Sequence, residues 1–256
     1  MSRRLFFPGC AITSYNPEYA LKTTEYLKEV FPELSVVQKC CGAPTKFMGL
    51  KNLYEEHVAG IVKDIKDCEA DEVIVGCQSC VKVLVDCGGF KTTSLWEMFP
   101  KIGLPKELVG KAKDSNVVFS VHDSCSVREY KGIHEGIRWI IDELGYQRID
   151  PPGRSHEKAR CCGLGGMVHA ADYDLALEVM KRRVGDFPTP KIVAYCAMCR
   201  LAMLAGGGQA WHILDLIWGP VIFNNTPYPI DTLSDDNKFW ENRAESKKIV
   251  LNLYGK

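Results

Sequence analysis

Ten of the chain's 12 cysteines fall into one five-cysteine template that is written twice. The first copy reads Cys10, then Cys40-Cys41-Gly42, then Cys77-Gln78-Ser79-Cys80; the second reads Cys125, then Cys161-Cys162-Gly163, then Cys196-Ala197-Met198-Cys199. The intervals are 29 and 35 residues in the first copy and 35 and 33 in the second. Thiolates are soft ligands that suit zinc and iron–sulfur clusters, so two thiolate-rich metal centres are expected. Disulfides are the weaker reading, because cytosolic thiols are kept reduced and neighbours such as Cys40 and Cys41 point their side chains apart.

A cytoplasmic location is expected from the start of the chain, where Leu5-Phe6-Phe7 runs into Pro8-Gly9 without the long apolar core of a signal peptide. The most apolar late stretch, 211–223, is short and carries His212 and Asp215, so no membrane span is expected. Lys plus Arg equals Asp plus Glu at 32 each, which leaves no overall basic field for a nucleic acid. The run Lys181-Arg182-Arg183 reads as a solvated helix face.

Equivalent cysteines lie 115, 121 and 119 residues apart, so the repeat is the size of a domain. Domains at 1–112 and 113–215 are expected, with the boundary in the polar segment 101–116, followed by an extended tail over 216–256. Short apolar runs at Leu5-Phe6-Phe7, Val73-Ile74-Val75, 117–121 and 192–195 read as buried strands, and each leads into a cysteine motif. Between them lie helical patterns. One opens with Asn16 as cap and Pro17 at the first position; another carries Ile133, Ile137, Ile140, Ile141 and Leu144 and stops at Gly145. Strand and helix in alternation predict an α/β fold with largely parallel sheets, whose ligands collect beyond the carboxyl ends of the strands. Gly42, Gly163, Gly165 and Gly166 would let the cysteine loops fold tightly over a bound group. Cys196-x-x-Cys199 would open a helix whose N–H groups stabilise thiolate charge, although a CxxC alone also suits thioredoxin-like redox chemistry.

The doubled template, with Pro8-Gly9-Cys10, Cys40-Cys41-Gly42-Ala43-Pro44, His122-Asp123-Ser124-Cys125 and Cys161-Cys162-Gly163, resembles the CCG-domain (cysteine-rich domain) family over about residues 5 to 215. Known members include the B subunit of heterodisulfide reductase and iron–sulfur subunits of lactate, glycolate, glycerol-3-phosphate and succinate oxidoreductases. The resemblance implies two tandem CCG domains related by pseudo-two-fold symmetry, each holding a noncubane [4Fe–4S] cluster. It assigns Cys10, Cys40, Cys41, Cys77 and Cys80 to one cluster, and Cys125, Cys161, Cys162, Cys196 and Cys199 to the other. The first interval of copy one is shorter than the family's usual spacing, and zinc stands as an alternative occupant of one centre, the first before the second.

Two one-electron centres facing one substrate would supply the two electrons that cleave a disulfide into two thiols. The leading functional expectation is therefore the disulfide-reducing subunit of a heterodisulfide-reductase-like complex. An electron-transfer subunit beside a flavin dehydrogenase comes second, and a zinc-stabilised scaffold third, since tetrahedral zinc leaves a fifth cysteine per copy unused. His122 and His169 are candidate proton donors to a leaving thiolate. Cys68 and Cys87 fall outside the template. No ferredoxin-type cysteine run and no G-x-G-x-x-G motif is present, so electrons would arrive from a ferredoxin-type subunit and a flavin-containing one. The aromatic residues Trp218, Phe223, Tyr228, Phe239 and Trp240 are candidates for the docking surface.

Overall fold

The computed structural model describes residues 3–228 and 236–254. Contacts divide the chain into two compact units, Met1–Met98 with Asp236–Lys256, and Phe99–Asp235.

The first unit runs β1 (Arg4–Phe7), α1 (Cys10–Tyr15), α2 (Pro17–Val30), β2 (Ser35–Val36), α3 (Ala43–Phe47), α4 (Lys51–Asp67), β3 (Glu72–Val75), α5 (Gln78–Cys87), β4 (Lys91–Ser94) and the start of α6 (Leu95–Ile102). Its four strands are all parallel in the order β2-β1-β3-β4, with Leu5 beside Ser35 on one side and Val73 on the other. The two central strands are covered on both faces, so Leu5, Phe6, Phe7, Val73, Ile74 and Val75 are all buried and read as unbroken apolar runs. Asn16 caps α2 by accepting from the Tyr19 N–H at 3.2 Å, with Pro17 in the first turn.

The second unit repeats this plan with β5 (Val118–His122), α7 (Lys131–Leu144), β6 (Gln147–Ile149), α8 (Val168–Ala171), α9 (Tyr173–Val184), β7 (Lys191–Ala194), α10 (Ala197–Ala205), β8 (Gln209–His212) and α11 (Ile213–Trp218). Its strand order is β6-β5-β7-β8, again all parallel, with Val121 beside Val193 and Val193 beside Trp211. The apolar face of α7 is buried, and Gly145 ends the helix at φ 90°, a left-handed conformation that glycine adopts without penalty.

Three expectations need correction. The units divide inside α6 rather than at 112/113. The segment 216–256 is not extended throughout: α11 runs to Trp218, and Asp236–Tyr254 forms a helix, α12, that packs on α1 and α2 of the first unit. Residues 229–235 and the Phe239 side chain lie outside the described residues. Lys181 and Arg182 are exposed as expected, but Arg183, a further 100° around α9, is 1% exposed and faces the core.

Candidate metal centres

In each unit three loops leave the carboxyl ends of three neighbouring strands, the position where parallel α/β sheets hold their ligands. After β1, Gly9 turns the chain and Cys10 opens α1; after β3, Cys77 is the N-cap of α5 and Cys80 lies in its first turn. Cys40 and Cys41 sit in the loop between β2 and α3. Cys10 and Cys40 are 3.8 Å apart, sulfur to sulfur, and the Cys80 thiol bonds to both Cys41 and Cys77. In the second unit Cys125 begins the 3-10 turn after β5, and Cys196 caps α10 with Cys199 inside it. Thiol contacts there run from Cys125 to Cys161, on to Cys162 and Cys199, and end at Cys196. The ten template cysteines thus gather into two groups of five, while Cys68 caps the end of α4 and the Cys87 thiol donates to the Val83 carbonyl at 3.0 Å.

Exposure differs at one position between the groups. Cys41, Cys77, Cys80, Cys162 and Cys199 are buried, whereas Cys10 and Cys40, and likewise Cys125 and Cys161, are part-exposed; Cys196, unlike its counterpart Cys77, is part-exposed as well. Each group therefore has buried thiols at its back and an edge open to solvent, and the edge includes the equivalent pairs Cys10 with Cys40 and Cys125 with Cys161.

Glycines set the tightness of both groups. A β-carbon on Gly9 would lie 2.7 Å from the Cys77 β-carbon and 3.0 Å from the Cys80 sulfur, and one on Gly165 would lie 2.7 Å from the Cys161 sulfur. Gly42 and Gly163 act differently. Both have positive φ and donate their N–H to the preceding Cys40 or Cys161 sulfur at 3.5 and 3.4 Å, but a β-carbon there would meet His57 or Met180.

The protein's own hydrogen bonds pre-form thiolate. The bond from Cys10 lowers the Cys40 thiol to about 6 against the effect of burial, helped by the Gly42 N–H and by Arg243 and His57. Bonds from Cys125 and Cys162 hold Cys161 far below the ordinary thiol range. Cys199, then the N–H groups of Cys199 and Met198 at the start of α10, bring Cys196 to about 7. Cys80 and Cys199 are pushed well up, first by sharing their protons with other thiols and then by burial.

These residues fit a metal centre on two counts. A tetrahedral ion with metal–sulfur bonds of about 2.3 Å has ligand sulfurs about 3.8 Å apart, the separation of Cys10 and Cys40. Five thiols gathered in one group, some of which share a proton with a neighbour, can all ionise only beside strong positive charge.

The loop that carries Cys125 is anchored by buried charge that the spacing of residues did not reveal. Asp123 is fully buried; it accepts from Arg138 at 3.0 and 2.8 Å and from the His156 N–H at 2.7 Å, and pairs with His134 at 3.1 Å. Burial opposes its charge, but the bonds from His134 and Arg138 win and hold the carboxyl far below its usual range. The Tyr195 hydroxyl donates to Asp123 at 3.3 Å and accepts from the Ser124 N–H at 2.9 Å, which fixes the residue before Cys125.

His122 is 1% exposed, and its ring lies with Cys162 and Cys199 in a group whose potential ligand atoms are all within 4.8 Å of one another. Arg183 donates its Nε–H to Nδ1 at 3.2 Å. A guanidinium cannot accept, so Nδ1 accepts and the proton of the neutral ring sits on Nε2, which has no protein partner. Burial, then the Arg183 charge, lowers the His122 pKa to about 3, so the ring is neutral at physiological pH. His169, half-buried on α8, also has an unpartnered Nδ1 but stands outside that group.

A pH dependence follows from His212, the N-cap of α11, which burial and then Arg200 also lower to about 3. As pH falls below about 6.5, the unfolded chain takes up this proton and the folded unit does not until about 3. The stability that depends on a neutral His212 is complete above pH 6.5 and is lost between there and 3, at roughly 1.4 kcal/mol per pH unit. Urea titrations from pH 7 to 4.5 should show a falling midpoint whose slope is reduced by about one proton in His212→Gln; identical slopes would contradict the assignment.

The cysteine-rich domain model, CCG, matches residues 4–84 and 119–204, and the chain belongs to that family. It is 23% identical over 219 residues to the D subunit of dihydromethanophenazine:CoB–CoM heterodisulfide reductase from Methanosarcina acetivorans, covering 79% of this chain and 53% of that protein. The Methanosarcina barkeri counterpart is 24% identical, covering 71% and 48%. The EtfAB:quinone oxidoreductase of Syntrophomonas wolfei is 25% identical over 228 residues, covering 80% of this chain and 31% of that protein. The heterodisulfide reductase match is thus to the D subunit rather than specifically to a B subunit, and the chain spans about half the length, or less, of these relatives.

Proposed function

We propose that the chain is an iron–sulfur redox subunit of a heterodisulfide-reductase-like complex, with one noncubane [4Fe–4S] cluster held by each group of five thiols, and that it reduces a disulfide to two thiols. The observation that carries this reading is the repeated open edge, Cys10 with Cys40 and Cys125 with Cys161, in front of buried thiols that include Cys41 and Cys80 in one group and Cys162 and Cys199 in the other. A tetrahedral zinc site would use four sulfurs and needs no access. When bound, such clusters supply single electrons. The chain's own part is to hold ionised ligands, exclude water from the buried sulfurs and leave one side accessible to substrate.

His122 enters as a positioning residue rather than the proton donor first expected of it. The bond from Arg183 leaves the ring's proton on Nε2, in a ring grouped with the sulfurs of Cys162 and Cys199, where its dipole would favour thiolate charge. His169, on α8 just after the Cys161-Cys162 loop and with an unpartnered Nδ1, is the remaining candidate for proton delivery. The pH–rate profile of His122→Gln should therefore parallel that of the unaltered protein; a lost ionisation between pH 5 and 8 would return the donor role to His122.

Partners of the ferredoxin and flavin types would supply the electrons. The likeness to EtfAB:quinone oxidoreductase favours a second reading, an electron relay within a larger flavin-linked system. The two readings separate when dithionite-reduced holoprotein is mixed anaerobically with hydroxyethyl disulfide. Disulfide reduction predicts two thiols released per disulfide consumed, lost in Cys40→Ser and Cys161→Ser; a relay predicts cluster oxidation by a one-electron acceptor and no thiol release.

A further inference from the structure

A cavity of about 530 Å³ opens on the exposed side of the first centre, within unit 1, and both Cys10 and Cys40 line it. Its size suits a small molecule, for which sites of roughly 300–1,000 Å³ are usual. The remaining walls come from α4, which contributes His57 and Leu53, and from α12, which contributes Trp240, Arg243 and Lys247. Positions 240, 243 and 247 are spaced to share one face of a helix. That face is set in register by neighbouring residues: the Asn242 amide donates to the Ser14 carbonyl at 2.9 Å, and the Gln38 amide donates to the Ser246 hydroxyl at 3.2 Å.

The charges of this cavity are not balanced. Lys39 is paired with Asp64, but among the described residues neither Arg243 nor Lys247 has a carboxylate partner, and Glu56 is the single acid in the lining. The Arg243 guanidinium instead lies over the Trp240 ring, 5.3 Å from its centroid, and that ring is 57% exposed. A guanidinium resting on an indole face keeps its N–H edge free for a planar anion. Leu53, 42% exposed, adds an apolar wall. Unpaired cations, an exposed indole and an apolar side chain converge on one opening beside the two accessible thiols.

We propose that this cavity binds a small organic anion, with its carboxylate or phosphate on Arg243 and Lys247 and its apolar body against Trp240 and Leu53, next to the open edge of the first centre. The site goes beyond the redox reading and rests on it only for what the neighbouring thiols hold. It assigns α12 a part in ligand recognition, so that a helix distant in sequence from the five cysteines completes the first unit.

Calorimetric titration of the anaerobic holoprotein tests this with hexyl phosphate, hexanoate and the uncharged analogue hexanol. Both anions should bind, with hexanol at least about tenfold weaker, the loss of one strong charge contact. Combined Arg243→Gln and Lys247→Gln should weaken both anions about tenfold or more and leave hexanol binding unchanged, with affinities compared per iron-loaded chain. Trp240→Ala should weaken hexyl phosphate more than inorganic phosphate. Equal anion affinity in the doubly substituted protein, or no anion binding at millimolar concentration to wild type with its full iron content, would overturn the proposal. Either result would leave the redox reading untouched, whereas anion binding without thiol release would overturn that reading alone.

Discussion

Replacing Asp123 by Asn is expected to destabilise the second unit by about 3–5 kcal/mol, the usual cost of removing one partner from a buried ion pair. The carboxylate is the shared acceptor of Arg138, His134, Tyr195 and the His156 backbone. An amide of nearly the same shape would leave the Arg138 guanidinium with Asp150 as its remaining acid. It would also place an NH2 group where donors already converge. The loss should reach function, because Ser124 and Cys125 hang from the same loop. Urea unfolding read by circular dichroism, with iron per chain on the same samples, checks this: the midpoint should fall and the second centre's iron be lost first. A combined Asp123→Asn and Arg138→Met should regain part of the stability. A loss below about 1 kcal/mol, the scale of an exposed pair, would show that the network carries little.

Gly9→Ala is expected to have a comparable effect on the first unit. At φ 78° and ψ 153°, a region essentially restricted to glycine, a β-carbon costs about 1–3 kcal/mol. Its 2.7 and 3.0 Å contacts with Cys77 and Cys80 add overpacking worth about 1–3 kcal/mol. Because the collision is with two ligands, about half of the bound metal should be lost even in chains that fold. Gly49 is the control, with φ 75° and nothing within 4 Å of an added β-carbon, so Gly49→Ala should pay the conformational term and keep all the metal. Full metal content in Gly9→Ala would contradict the arrangement of the first group.

Features governed by local rules were readable from the residues themselves. Apolar runs such as Val73-Ile74-Val75 are continuous because both faces of a central parallel strand are covered, and Asn16-Pro17 and Gly145 mark helix ends through the preferences of single residues. The ten ligand candidates were readable because a repeat betrays them. Features made by long-range pairing were not. Asp123 meets Arg138, His156 and Tyr195 from three separate segments, and Arg183 was hidden in a basic run whose first two members do face solvent. α12 escaped notice because Trp240, Ile249 and Val250 are diluted among charged residues, and its register against α1 depends on side-chain bonds to Ser14 and Gln38. The cavity that it completes could not be inferred without it.

The most direct test of two iron–sulfur centres is the iron, acid-labile sulfide and zinc content of anaerobically purified protein. The account predicts about eight irons per chain with sulfide to match, as two four-iron clusters require, and about half of that in Cys199→Ala. Zinc without iron would contradict it and reduce the two groups of thiols to structural sites.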